Sequence, residues 1–218
     1  MEKTNYQLLL DREIERITAE GRVPTLLLHA CCAPCSSYTL EDLSQYFSVT
    51  LFYYNPNIYP EDEYGRRVEE VRRLLAELPQ KHPVSLIVGE YLPAEFYEAV
   101  KGLEDIPEGG ERCFACYRLR LEKTAELAQR LGFEYFTTTL SISPHKNAQK
   151  LGEIASELAG IYGVAALPSD FKKRNGYKRS CELSAVYGLY RQDYCGCVFS
   201  QREKAERDRA AEQRKSNI

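Results

Sequence analysis

The sequence predicts one α/β domain built on a mostly parallel sheet of about five strands. Apolar runs rich in β-branched and aromatic residues alternate with helical segments from residue 24 to residue 167, as crossover connections between parallel strands require. The 218 residues suffice for one sizeable domain or two small ones, and neither a repeat nor a clean linker divides them. The stretches around Cys31–Cys35, Asn55–Asn57 and Ser141–Asn147 all follow strands, which puts all three on the carboxyl edge of the sheet, where such folds hold their sites.

Residues 1–23 interleave Tyr6, Leu9, Leu10, Ile14 and Ile17 with charges and read as an N-terminal helical extension, stopped by Gly21 and packed on the domain without chemistry of its own. Pro24 opens the first strand, which runs to about Ala30. A helix over 36–46 presents Leu40 and Leu43 on one face, and the second strand, 48–54, draws on Val49, Leu51 and Phe52. Asn55-Pro56-Asn57-Ile58-Tyr59-Pro60 is a loop by composition. A charged amphipathic helix over 61–78 carries Val68, Val71, Leu74 and Leu75 at helical spacing, and 84–88 is a short third strand. A helical stretch over 95–101 leads through a loop with Gly102, Pro107, Gly109 and Gly110 into a long helix from near Cys113 to Leu131, capped by Gly132. The fourth strand is 133–139, the following loop enters a helix ending near Tyr162, and 164–167 is a weaker fifth strand. A basic, polar segment, 170–180, precedes a helix over 181–189. Residues 201–218 form a charged C-terminal helix or tail, which leaves 24–200 as the α/β domain that carries chemistry.

Composition is that of an ordinary globular chain, 44% hydrophobic and 28% charged. No apolar run reaches the roughly 20 residues of a membrane helix, and the N-terminus lacks an apolar signal core, so the expectation is a cytoplasmic protein with no membrane partner. A net charge of −3 argues against coating nucleic acid by bulk charge and leaves room for a local basic patch.

Eight cysteines in such a chain point to metal or redox chemistry rather than disulfide scaffolding. Seven of them fall into three clusters: Cys31, Cys32 and Cys35; Cys113 and Cys116; Cys195 and Cys197. Cys181 stands alone and reads as a packed thiol. The first cluster sits where a strand hands over to a helix, whose free N–H groups and positive dipole end favour thiolate. Cys113 and Cys116 open a helix, and one turn sets both sulfurs on one side. Cys32 and Cys35 with Cys113 and Cys116 meet the four-ligand requirement of zinc. The surplus thiol at Cys31-Cys32 argues instead for a redox centre, and four thiolates are the usual shell of a 4Fe-4S cluster. These residues leave the two options even.

Cys195-Gly196-Cys197 would close a small, strained disulfide ring, so a redox-active pair ranks above a chelating pair and a structural one. Asn55, Asn57 and Tyr59 follow the second strand, and Thr137-Thr138-Thr139 leads into Ser143-Pro144-His145-Lys146-Asn147; both are ordinary strand ends by composition and both suit a ligand pocket by position. Lys172, Lys173, Arg174, Lys178 and Arg179 form a basic run that is either a solvated loop or, with Tyr177, Tyr187, Tyr190 and Tyr194, a nucleic-acid surface of phosphate contacts and stacking rings. No Walker-type loop or G-x-G-x-x-G fingerprint follows any strand.

Together, His29-Ala-Cys-Cys-Ala-Pro-Cys35, Tyr54-Asn-Pro-Asn-Ile58, Glu111-Arg-Cys-Phe-Ala-Cys-Tyr117, Phe136-Thr-Thr-Thr139 with Ser143-Pro-His-Lys-Asn147, and Tyr190-Arg-Gln-Asp-Tyr-Cys-Gly-Cys197 resemble the QueH-type epoxyqueuosine reductases over roughly residues 24–200. The resemblance implies a Rossmann-like fold related to the PP-loop nucleotide hydrolases, with the cysteine turn where those proteins carry a phosphate loop. It implies removal of the epoxide oxygen from epoxyqueuosine in tRNA, with an external electron donor. It further implies a 4Fe-4S cluster on Cys31, Cys32, Cys113 and Cys116, an additional iron ion with Cys35 free to bind it or line the pocket, and Cys195 and Cys197 as the redox pair. On that footing Asp193, Tyr194 and His145 are unranked candidates for the proton donor, and Asn55, Asn57, His145, Lys146, Tyr177 and Lys178 are candidates for contact with the tRNA. Two other readings stay open: a zinc-stabilised tRNA- or nucleotide-binding module without redox chemistry, and a general thiol–disulfide oxidoreductase. The sequence does not determine an oligomeric state.

Overall fold

A computed structural model describes residues 3–216. In chain order the elements are α1 (Tyr6–Ala19), β1 (Thr25–Ala30), α2 (Ala33–Leu43), β2 (Ser48–Tyr53), α3 (Glu61–Glu77), β3 (Ser85–Val88), α4 (Pro93–Ala99), α5 (Glu111–Leu131), β4 (Tyr135–Thr138), a 3-10 turn (Thr139–Ile142), α6 (Ala148–Tyr162), β5 (Ala165–Ala166), α7 (Gly176–Val186) and α8 (Val198–Ser216). The five strands form one sheet in the order β3-β2-β1-β4-β5, and every pairing is parallel. This is the α/β, Rossmann-like architecture expected.

β1 lies at the centre, and its run Thr25-Leu26-Leu27-Leu28-His29-Ala30 is apolar almost throughout because both of its faces are covered. Alternation sends Leu26, Leu28 and Ala30 into one core with Leu40 and Leu43 of α2 and Val68, Val71 and Leu74 of α3. Leu27 goes to the other face, with Leu121 and Ala125 of α5 and Leu151, Ile154 and Leu158 of α6. A third, smaller cluster joins Phe96 and Val100 of α4 to Cys116, Cys197 and Phe199. Leu10 and Ile17 of α1 are fully buried in the first core.

The chain leaves β1 toward β2 and β3 on one side and returns to β4 and β5 on the other. The strand order therefore switches between the carboxyl ends of β1 and β4, where helices diverge and open a crevice.

Of the boundaries that differ from the sequence reading, three bear on the site. α2 starts at Ala33 with Cys32 as its N-cap, because Pro34 fits the first helical turn, where its missing N–H costs nothing. Cys35 is thereby inside the first turn rather than before the helix. α7 starts at Gly176 instead of Cys181; Ser180 and Ser184 turn their hydroxyls back onto the Tyr177 and Ser180 carbonyls, at 2.8 and 2.6 Å, so the polar segment is helical. The C-terminal segment is helical from Val198, and its start is anchored by Arg112, which binds Glu203 at 2.5 Å and lies over the Phe199 ring.

Candidate active site

The switch point opens into a cavity of about 610 Å³ whose wall includes Cys31, Cys32, Cys35, Asn55, Asn57, His145, Lys146, Tyr177, Asp193 and Cys195. Many of the residues singled out in sequence thus meet at one place. Cys113, Cys116, Cys197 and Lys178 lie outside that lining.

The loops after β1 and β4 are tied together at the first cysteine. Thr139 Oγ1 accepts from the Cys31 backbone N–H at 3.2 Å, and its hydroxyl lies 3.3 Å from Cys31 Sγ. The Sγ atoms of Cys31, Cys32 and Cys35 all lie within 4.8 Å of one another, spacing that could hold a metal ion. Hydrogen bonds from Cys32 and Cys35 hold the Cys31 thiol well below its ordinary range, while Cys32 and Cys35 are pushed up.

Cys113 and Cys116 occupy the first turns of α5, after the glycine loop. Gly109 N–H donates to Cys113 Sγ at 3.2 Å. Cys113 belongs to the apolar cluster against which Cys31 packs, whereas Cys116 shares its cluster with Cys197. Burial raises both thiols, Cys116 to about 12.

Arg120, one turn beyond Cys116, escaped the sequence reading. It is 2% exposed, its Nη1 lies 4.0 Å from Cys116 Sγ, and it donates to Asn55 Oδ1 and, at 3.3 Å, to His29 Nε2. Among the described residues no carboxylate pairs with it. Burial lowers the pKa of His29 to about 3, with Arg120 adding to the effect, so the ring is neutral. Nδ1 lies 2.8 Å from Thr138 Oγ1; Nε2 lies 3.1 Å from the Tyr54 carbonyl, to which it donates when it carries the proton, and 3.3 Å from Arg120 Nε, from which it accepts when it does not. Asn55 is a strut: Nδ2 holds the Ala30 carbonyl at 2.8 Å and Oδ1 takes Arg120. Asn57 is as buried but its Oδ1 has no hydrogen-bond partner.

Lys146, an expected substrate contact, lines the cavity and also meets a thiol. Its Nζ lies 3.0 Å from Cys195 Sγ and 3.2 Å from Glu108 Oε1. Burial opposes its charge, yet Cys195, Tyr117 and Glu108 outweigh that and hold its pKa well above the ordinary lysine value. Cys197 is buried, raised by desolvation, and faces Ser200.

The cavity mouth carries His145, Tyr177 and Asp193, all exposed, with the Arg191 guanidinium 5.9 Å from the Tyr177 ring centre. Asp193 is paired with Lys204 at 3.1 Å. The basic run is less basic than it reads: Lys172 pairs with Asp170, Arg174 with Asp11, and Arg179 with Glu41 and Glu182. Lys173 and Lys178 are exposed.

A signal for the missed cations was present. Arg67 and Arg120 stand at helical spacing among apolar residues, Tyr64, Val68 and Val71 in one case, Cys116, Tyr117 and Leu121 in the other. A charge on an apolar face calls for a buried partner.

Residues 26–203 match the family model described as Epoxyqueuosine reductase QueH. The chain is similar to proteins of that name from Streptococcus pyogenes (44% identity over 201 residues, 91% of this chain and 79% of the relative), Staphylococcus epidermidis (44% over 203 residues, 91% and 85%) and Thermotoga maritima (38% over 186 residues, 84% and 93%).

Proposed function

The chain belongs to the epoxyqueuosine reductase QueH family, and on that basis we propose that its cavity binds the epoxide-bearing nucleoside of a tRNA and removes the epoxide oxygen. The protein is an oxidoreductase. No helix among the described residues is long and apolar enough to cross a membrane.

The observation that carries this reading is the gathering of Cys31, Cys32, Cys35 and Cys195 around one crevice at the switch point. The residues also suit a thiolate-bound inorganic group. Arg67 Nη2 and Tyr53 Oη are buried without hydrogen-bond partners, both are electrostatically coupled to Cys32, and Arg120 lacks a carboxylate. Buried cations and free donors beside thiols favour an anionic ligand shell. In this reading Cys31, Cys32, Cys113 and Cys116 would hold a 4Fe-4S cluster and Cys35 would serve an additional iron ion. When bound, that centre supplies electrons and a Lewis acid.

The chain's own residues do the rest. Deoxygenation of an epoxide to an alkene consumes two electrons and two protons and releases water. Oxidation of a Cys195–Cys197 dithiol to its disulfide yields the same two electrons and two protons, and an external donor restores the dithiol. Lys146 holds Cys195 Sγ at the cavity wall and keeps a proton beside it. Asn57 offers a buried acceptor to the substrate, and Tyr177 and His145 at the mouth offer surfaces for an unstacked loop. Asp193 at the mouth is tied to Lys204, whereas Lys146 lies on the wall beside Cys195.

The test is anaerobic purification with iron, sulfide and zinc analysis, followed by assay on tRNA carrying epoxyqueuosine. Iron with acid-labile sulfide and conversion to the alkene support the proposal. Stoichiometric zinc without turnover would replace it by the binding-module reading. Cys113→Ala is expected to lose cluster and activity together. Cys195→Ser is expected to keep the cluster's absorbance and lose multiple turnover.

A further inference from the structure

Arg67 belongs to no motif, yet it touches the turn that carries the second thiol pair. It is 2% exposed, and its Nε binds Glu63 at 2.7 Å. Its Nη1 donates to the Cys195 carbonyl at 3.4 Å, and the Tyr194 ring centre lies 5.8 Å from its guanidinium carbon. The next residue leaves no room: Gly196 has φ +110°, and a Cβ there would come within 2.7 Å of Arg67 Nη1 and 3.1 Å of Nη2. The Gly196 carbonyl is held in turn by the Tyr59 N–H at 2.8 Å. The guanidinium is also electrostatically coupled to Cys32 of the thiol triad, and both residues line the cavity.

We propose that Arg67 is a positioning residue that pins the Cys195-Gly196-Cys197 turn against the wall carrying Cys32, and so fixes Cys195 at Lys146 and the cavity. This rests on the reading of Cys195 and Cys197 as the thiol pair of the reaction. The glycine between them serves two ends: it adopts a left-handed backbone, and it lets the flat guanidinium lie directly on the turn. A lysine would keep the charge opposite Glu63 and lose the fork that reaches the carbonyl.

The test uses full-length Arg67→Lys, Gly196→Ala and the double variant, each checked by circular dichroism. Three quantities are read: the iodoacetamide alkylation rate of Cys195 by mass spectrometry, the thiol–disulfide midpoint in a glutathione buffer, and turnover on epoxide-bearing tRNA. Arg67→Lys is expected to change the alkylation rate at least fivefold, to shift the midpoint, and to lower kcat at least tenfold with KM for tRNA within twofold. Gly196→Ala is expected to have a smaller effect on alkylation in the Arg67→Lys background, because the clash is with the guanidinium. Wild-type alkylation and midpoint in Arg67→Lys overturn the proposal, whatever turnover does. Should Arg67→Lys not fold, Glu63→Gln/Arg67→Gln removes both charges and gives the same readouts. A wild-type protein that leaves the epoxide intact, while Arg67→Lys still alters Cys195, refutes the function and supports the positioning role.

Discussion

Lys146 Nζ lies 3.0 Å from Cys195 Sγ, with Glu108 Oε1 at 3.2 Å on its other side. A buried ammonium held by a carboxylate and in hydrogen-bond contact with a sulfur fixes where that sulfur sits. Lys146→Met should therefore change the alkylation rate of Cys195 on the order of tenfold, measured by peptide mass spectrometry. Equal rates in the two proteins would separate Lys146 from thiol chemistry and return it to substrate binding.

Arg120 supplies a second expectation. It is buried, bonded to Asn55 and His29, and has no carboxylate partner among the described residues. An unpaired buried cation costs several kcal/mol, and an anionic group on the neighbouring thiols offsets that cost. Metal-loaded protein should melt well above chelator-treated protein, and Arg120→Met should remove more than half of that difference. Equal increments in melting temperature for both proteins would mean that Arg120 does not sense the thiol-bound group.

Away from the site, burial pushes the Asp42 carboxyl up to about 6 from 3.8, with Arg174 partly opposing. A carboxyl that holds its proton more tightly when folded contributes most below its unfolded value. Its contribution falls as pH rises from about 4 through 6 and then levels. Asp42→Asn should thus gain on the order of 1–2 kcal/mol over wild type at about pH 8 and nothing at about pH 4. Urea melts at the two pH values measure this; a constant difference would place the cause elsewhere.

Gly152 of α6 lies beneath the Tyr6 ring, where a Cβ would come within 2.1 Å of it. Gly152→Ala should cost about 1–3 kcal/mol or release α1 from the domain. Limited trypsin cleavage at Arg12 and Arg16 would report the release. Unchanged urea midpoint and cleavage would show that the ring moves aside freely.

Much of this protein was legible in the chain. The run of β1, the spacing of Val68, Val71 and Leu74 in α3, and the positive-φ glycine that caps α5 are local features, settled by side chains within a few residues of one another. The thiol clusters, and the strand ends that carry them, were legible for the same reason.

The meeting of those parts was not. Cys31 and Thr139 are 108 residues apart, Arg67 and Cys195 128, and Lys146 and Cys195 49. Their contacts follow from the order of strands in the sheet and from the return of the chain after α7, which no local period encodes. Residue type and spacing determined that this chain carries an α/β sheet and clustered thiols at its edge. Only the tertiary structure decided that Lys146 faces Cys195, that Asn55 is spent on Arg120, and that two arginines lie buried beside the sulfurs. Burial sets the partner of a charge, and burial is a property of the packed chain.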